Sequence, residues 1–174
     1  MYYAIKYDTT TGACYGSHAY SEEPSSYPSN EIACTFEQYQ TPAAWTVVNG
    51  SLVQSLTYAK AAQSALIKQG FANANAANIS FTDAAGVTDT YQADPTSVAD
   101  LNNCLSAFRA AAAVPSGFYW RSATNNNNAF TYADLVNLAA ALANRGFANF
   151  AQLQTLKANV MAATTVSDVQ AVVW

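Results

Sequence analysis

The dipeptide Asn49-Gly50 constrains the fold of this chain more than any other pair. It stands between Trp45-Thr46-Val47-Val48 and Ser51-Leu52-Val53. It supplies the two positive φ values that a type I′ turn requires, so the flanks pair as an antiparallel hairpin. A second hairpin is expected from Ile79-Ser80-Phe81-Thr82 and Val87-Thr88-Asp89-Thr90-Tyr91, which alternate on either side of the turn segment Asp83-Ala84-Ala85-Gly86. A third is expected from Phe118-Tyr119-Trp120-Arg121 and Ala129-Phe130-Thr131. These bracket Ser122 to Asn128, whose run Asn125 to Asn128 reads as a solvated hairpin tip.

The N-terminal fifty residues continue the strand pattern. Met1 to Tyr7 and Ala13 to Tyr20 flank the turn Thr9-Thr10-Thr11-Gly12, and Glu31 to Phe36 forms a further strand after a Pro- and Ser-rich loop. Helical spacing appears elsewhere. Leu56, Ala59, Gln63, Leu66 and Ile67 form an incomplete stripe that stops at Gly70. Asp94-Pro95 opens a helix carrying Val98, Leu101, Leu105 and Phe108, with Asp as cap and Pro at the first helical position. Thr131 and Asp134 form a capping box for a helix with Leu135, Leu138, Ala139 and Leu142 on one face, stopped by Asn144-Arg145-Gly146. Another helix is expected from Phe150 to Ala162, with Phe150, Leu153, Leu156 and Val160 inward, then a short one capped by Thr165. The tetrad Gly70-Phe71-Ala72-Asn73 recurs as Gly146-Phe147-Ala148-Asn149, but one repeated pair makes no solenoid, which needs about three.

Hairpins interleaved with helices predict an α+β fold. The expected organisation is a small N-terminal β-rich module over residues 1–53, a helical connector over 54–78, and a C-terminal domain over 79–174 in which hairpins pack on three or four helices.

Charge is sparse. Of 174 residues, 10% are Asp, Glu, Lys or Arg, against about a quarter in an average domain. Neutral polar side chains must cover most of the surface, which suits close packing against neighbours. The seven Lys and Arg are scattered singly and the net charge is -4, so no basic stripe exists for phosphates and nucleic acid is not an expected partner. No apolar run reaches the ~20 residues that would cross a bilayer, and Met1 to Tyr7 lacks the form of a secretory signal, so no membrane insertion is expected.

The reactive inventory is thin. His18 is the single histidine, in a Tyr-rich strand with no GxSxG elbow and no orienting carboxylate in its neighbourhood of the sequence. Asp83, Asp89, Asp94 and Asp100 lack the spacing of a calcium loop; turn and capping roles account for Asp83 and Asp94. No glycine-rich phosphate loop is present. Cys14, Cys34 and Cys104 contain no CxxC. Cys104 falls on an apolar helix face, while Cys14 and Cys34 are the candidates for a cross-sheet disulfide under oxidising conditions; free thiols are the default. No enzymatic activity, cofactor or metal is expected. Eleven Tyr, eight Phe and three Trp remain as the notable resource, for packing first and sugar stacking second.

The stretch from Ile79 to Trp174 resembles a domain of uncharacterised function that recurs in bacteriophage tail-fibre and tail-appendage proteins. The resemblance is carried by Phe118-Tyr119-Trp120-Arg121-Ser122-Ala123-Thr124-Asn125, by Phe130-Thr131-Tyr132-Ala133-Asp134-Leu135, by Leu153-Gln154-Thr155-Leu156-Lys157-Ala158, and by Ala162-Ala163-Thr164-Thr165-Val166 with Val169. Met1-Tyr2-Tyr3-Ala4, Asp8, Thr11-Gly12, Glu31-Ile32 and Val47 to Val53 look like the small leader module of phage tail-fibre and fibre-assembly proteins. The resemblance implies a structural component of the tail, at the baseplate, fibre or a fibre connector. It would be made in the bacterial host cytoplasm, reside in the virion, and pack in multiple copies against other tail proteins. A fibre-assembly chaperone and a module binding a host surface glycan are the alternatives. The candidate interaction surface comprises Tyr119, Trp120, Arg121, Asn126 and Trp174.

Overall fold

A computed structural model describes all 174 residues. The fold is α+β, with small antiparallel sheets and five α-helices. The chain divides into two compact units. The first is Met1–Leu66 with Leu156–Val173, and the second is Ile67–Thr155 with Trp174. This division differs from the three consecutive segments expected from sequence, because two long helices contribute residues to both units.

In the first unit, β1 (Tyr2–Tyr7) lies between β2 (Cys14–Tyr20) and β3 (Glu31–Cys34) in an antiparallel sheet. Ala4 and Ile5 of the central strand are fully buried. The β1–β2 turn is held by Asp8, whose carboxylate accepts from the Thr10 and Thr11 amides. Glu31 to Phe36 is not a continuous strand. Thr35 and Gln38 form a capping box that opens α1 (Phe36–Gln40), and Tyr3 packs against Phe36 and Tyr39 at 5.2 and 5.0 Å between ring centres. A 3-10 turn, Pro42–Ala44, leads into β4 (Trp45–Val48) and β5 (Ser51–Gln54). Asn49 and Gly50 take φ of 50° and 75°, so the turn is the one its sequence dictates.

Next comes α2 (Leu56–Ala76), which runs through Gly70 rather than ending there. Gly70 is present for packing: a Cβ on it would stand 2.5 Å from Trp174 Cγ. Of the expected stripe, Ile67 is buried and Leu56, Ala59 and Gln63 are half-buried, whereas Leu66 is exposed.

The second unit holds the β6 (Ile79–Thr82) and β7 (Thr88–Tyr91) hairpin, then α3 (Pro95–Phe108), capped by Asp94 through the Thr96 and Ser97 amides. The β8 (Tyr119–Arg121) and β9 (Asn127–Ala129) hairpin follows. Its core is Tyr91, Leu101, Phe130, Leu135 and Leu138, with Phe81, Cys104, Phe118 and Trp120 packed around them. Tyr91 and Phe130 meet at 5.2 Å between ring centres.

One helix, α4 (Tyr132–Ala162), replaces the two expected on either side of Asn144-Arg145-Gly146. Arg145 does not stop it. Its guanidinium donates instead to the carbonyls of Asn75 and Ala77, the free acceptors where α2 ends. Because α4 is continuous, its phase buries Leu153 and Val160 and leaves Phe150 outside, contrary to the expected inward position. The last helix, α5 (Val166–Gln170), is capped by Thr165 and buries Val169.

Candidate interaction surface

The expected surface residues separate into three groups. Along β8 the side chains alternate: Tyr119 and Arg121 are exposed, while Trp120 turns inward beside Phe118, with ring centres 6.5 Å apart. Asn126 is committed to the protein itself. The run Asn125 to Asn128 is exposed at its tip, as expected, through Asn125, Asn126 and Asn127, but two of its side chains are also engaged. Asn127 and Asn128 lie in β9, and the side chains of Asn126 and Asn128 both donate to Asp89 at 3.1 Å. Asn128 also donates to the Tyr91 hydroxyl at 2.8 Å. Donation from the Thr90 amide, then from these Asn side chains, holds the Asp89 carboxyl far below the usual carboxylate range. Asp89 thus ties the β8–β9 hairpin to β7, a role its position in the sequence does not announce. Trp174 packs on Gly70 and meets Phe71 edge-on at 6.1 Å.

The larger exposed apolar feature lies on α4. Val136, Ala140, Ala143, Phe147 and Phe150 recur at steps of four and three, a 3.5-residue period that keeps them in one row. Phe147 is 77% exposed, Phe150 51% and Val136 42%. No charged side chain interrupts the row. Ala143 also lines a groove of about 730 Å³ between α2, α3 and α4, whose other walls include Ala72, Ala76, Val98, Ala99 and Leu142. Large exposed apolar side chains in a row are the ordinary mark of an interaction face. The sequence carries the signal as Val136, Phe147 and Phe150, which share a face only when the helix continues through Gly146.

The N-terminal sheet assembles a polar cluster that sequence spacing did not suggest. Glu31 is buried, accepts from the Tyr20 hydroxyl at 2.5 Å, and lies 3.3 Å from His18 Nδ1 and 3.9 Å from Lys6 Nζ. The carboxylate missing beside His18 in the sequence is therefore supplied across the sheet. Its hydrogen bond pushes the Tyr20 hydroxyl up to about 12. No serine or cysteine side chain is hydrogen-bonded to His18, so the arrangement is a satisfied polar cluster rather than a nucleophile–base pair.

Cys14 and Cys34 are free thiols. They flank β1 on opposite sides, Cys14 opposite Tyr7 and Cys34 opposite Tyr3. Two strand spacings of about 4.8 Å already exceed the ~7 Å Cα separation that a disulfide tolerates. Burial pushes both thiols up. No three His, Cys, Asp or Glu side chains gather closely enough to hold a metal ion, and no helix is long and apolar enough to cross a membrane.

The family described as Domain of unknown function (DUF4376) matches residues 53–173. The chain belongs to that family. The match begins before α2 and includes the segment read from sequence as a connector, so α2 is an integral family element. Neither a curated protein nor a solved structure matches the chain.

Proposed function

We propose that this chain is a structural component of a bacteriophage tail, at the baseplate, fibre or a fibre connector, and that it works by protein–protein packing rather than catalysis. The observation that carries the reading is the uncharged row Val136, Ala140, Ala143, Phe147 and Phe150 on α4. Left in water, such a row is unfavourable; buried against a neighbour, each phenylalanine contributes about 1.5–3 kcal/mol. The sparse charge of the whole chain supports the same reading, because few ions must be desolvated when neutral surfaces close. The phage assignment rests on the resemblance of the Trp120 hairpin, the Thr131–Asp134 capping box and the Ala162-Ala163-Thr164-Thr165 turn to tail-appendage proteins.

The face is tested by Phe147→Asp with Phe150→Asp in the phage genome. The isolated variant should fold as the parent does, since both side chains are exposed, and the protein should be lost from assembled tails. Normal incorporation of a folded double variant would remove the face from the account.

A further inference from the structure

The side chains of the α4 row change size in a fixed order. Ala140 and Ala143 come first, Phe147 and Phe150 follow, and all of them are exposed. The alanines are spaced as the phenylalanines are, so the row is complementary to its own reverse. A second α4 running the opposite way, related by a two-fold axis at the level of Arg145, sets Phe147 opposite the second copy's Ala143 and Phe150 opposite its Ala140. Symmetry repeats both pairs, and every layer then holds one large and one small side chain. A parallel alignment sets Phe against Phe at one end and Ala against Ala at the other, and these cannot both close at one interhelical distance. The 3.5-residue period is the one that keeps two helices in contact along a shared seam.

The flanks and the area agree with such a partner. Asn137, Ala139, Asn144, Gly146 and Ala151 border the row, and none is charged, so no ion is desolvated and no like charges meet when two copies close. Phe147 is 77% exposed and Phe150 51%. At roughly 200 Å² per phenylalanine they present about 250 Å², near a third of the ~800 Å² per partner in a standard interface. The rest of the row and the alanine-rich groove beside Ala143 add further apolar surface. That total suits a reversible dimer rather than an obligate one.

We propose that the α4 face is covered by a second copy of this chain, in an isologous antiparallel dimer centred between Ala143 and Phe147. This rests on the reading of α4 as a packing face and names its occupant; it does not depend on the phage assignment.

The test is sedimentation velocity of the full chain from about 1 to 200 μM, a range that brackets a reversible interface of this size. A concentration-dependent monomer–dimer equilibrium is expected. Phe147→Ala leaves a gap against Ala143 and Ala143→Phe forces a clash with Phe147, so each variant alone should dimerise at least roughly tenfold more weakly while keeping the parent's circular dichroism and thermal midpoint. Mixing the two variants in equal amounts should restore the dimer, because each layer again pairs large with small. A chain that stays monomeric to about 200 μM, a dimer indifferent to Phe147→Ala, or a mixture no tighter than its separate components would overturn the proposal. A monomeric parent whose Phe147→Asp, Phe150→Asp variant is still lost from tails would overturn the dimer while leaving the face to a different neighbour.

Discussion

Trp174 lies so close over Gly70 that a Cβ on the glycine would stand 2.5 Å from Trp174 Cγ and 2.6 Å from its Cβ. The Trp174 Cβ is fixed by its backbone, so rotating the indole away would not relieve the contact. A glycine in mid-helix costs about 1 kcal/mol of propensity relative to alanine, and at Gly70 that cost is offset by close approach.

Gly70 and Gly146 occupy equivalent places in the repeated tetrad, yet they should respond oppositely to alanine. Gly70→Ala should destabilise by about 1–3 kcal/mol through overpacking against Trp174. Gly146→Ala meets nothing within 4 Å, so it should stabilise by up to about 1 kcal/mol. Urea unfolding of the two variants decides this; a stabilising Gly70→Ala would contradict the packing role.

Asp134 is 2% exposed and accepts from the Thr131 amide and hydroxyl and from the Ala84 amide. It closes the cap of α4 and fastens the β6–β7 turn to that cap. Asp134→Ala should cost about 2 kcal/mol. Burial alone would raise this carboxyl, but the hydrogen bonds from Thr131 and Ala84 outweigh it and hold it low. Asp89 is also held low. The unfolded chain therefore binds more protons than the folded one as pH falls past about 3.9. Stabilisation by both groups is complete at neutral pH and is lost as pH drops below about 4. Thermal midpoints should fall in that acid range, and Asp134→Asn should start lower at pH 7 and fall less steeply. An unchanged acid slope in that variant would count against the assignment.

The Asp89 hub predicts a local rather than global effect. Asn126→Ala and Asn128→Ala each remove a donor to the same carboxylate oxygen. Hydrogen exchange should accelerate at Ala123 and Asn126, whose amides donate to the Thr90 carbonyl and the Ser122 hydroxyl, while the α3 helix keeps its protection. Uniform acceleration across the second unit would show that the hub supports the whole core instead.

Local chemistry was legible where it acts within a few residues. The Asn49-Gly50 turn, the Asp94 and Thr165 caps and the Thr131–Asp134 box all form as their sequences dictate. Signals whose meaning depends on a distant partner were not. Gly70 reads as a stop until Trp174 lies on it, and Arg145-Gly146 reads as a stop until Arg145 reaches the end of α2. The same limit applies to the polar sites. The bonds of Asn126 and Asn128 to Asp89 are not legible because Asp89 is far away in sequence, and His18 looks alone because Glu31 arrives across β1. Of the expected surface, Tyr119 and Arg121 are outward, while the row ending at Phe150 exists only because α4 is continuous.

Residence in a phage tail is the function proposed for this chain. Quantitative mass spectrometry of purified, intact virions of a phage carrying this gene is the direct test. The protein is expected in a fixed copy number relative to the major tail proteins, set by tail symmetry. Its presence in infected-cell lysate but absence from intact particles would rule out a structural tail component and identify a departing assembly factor instead.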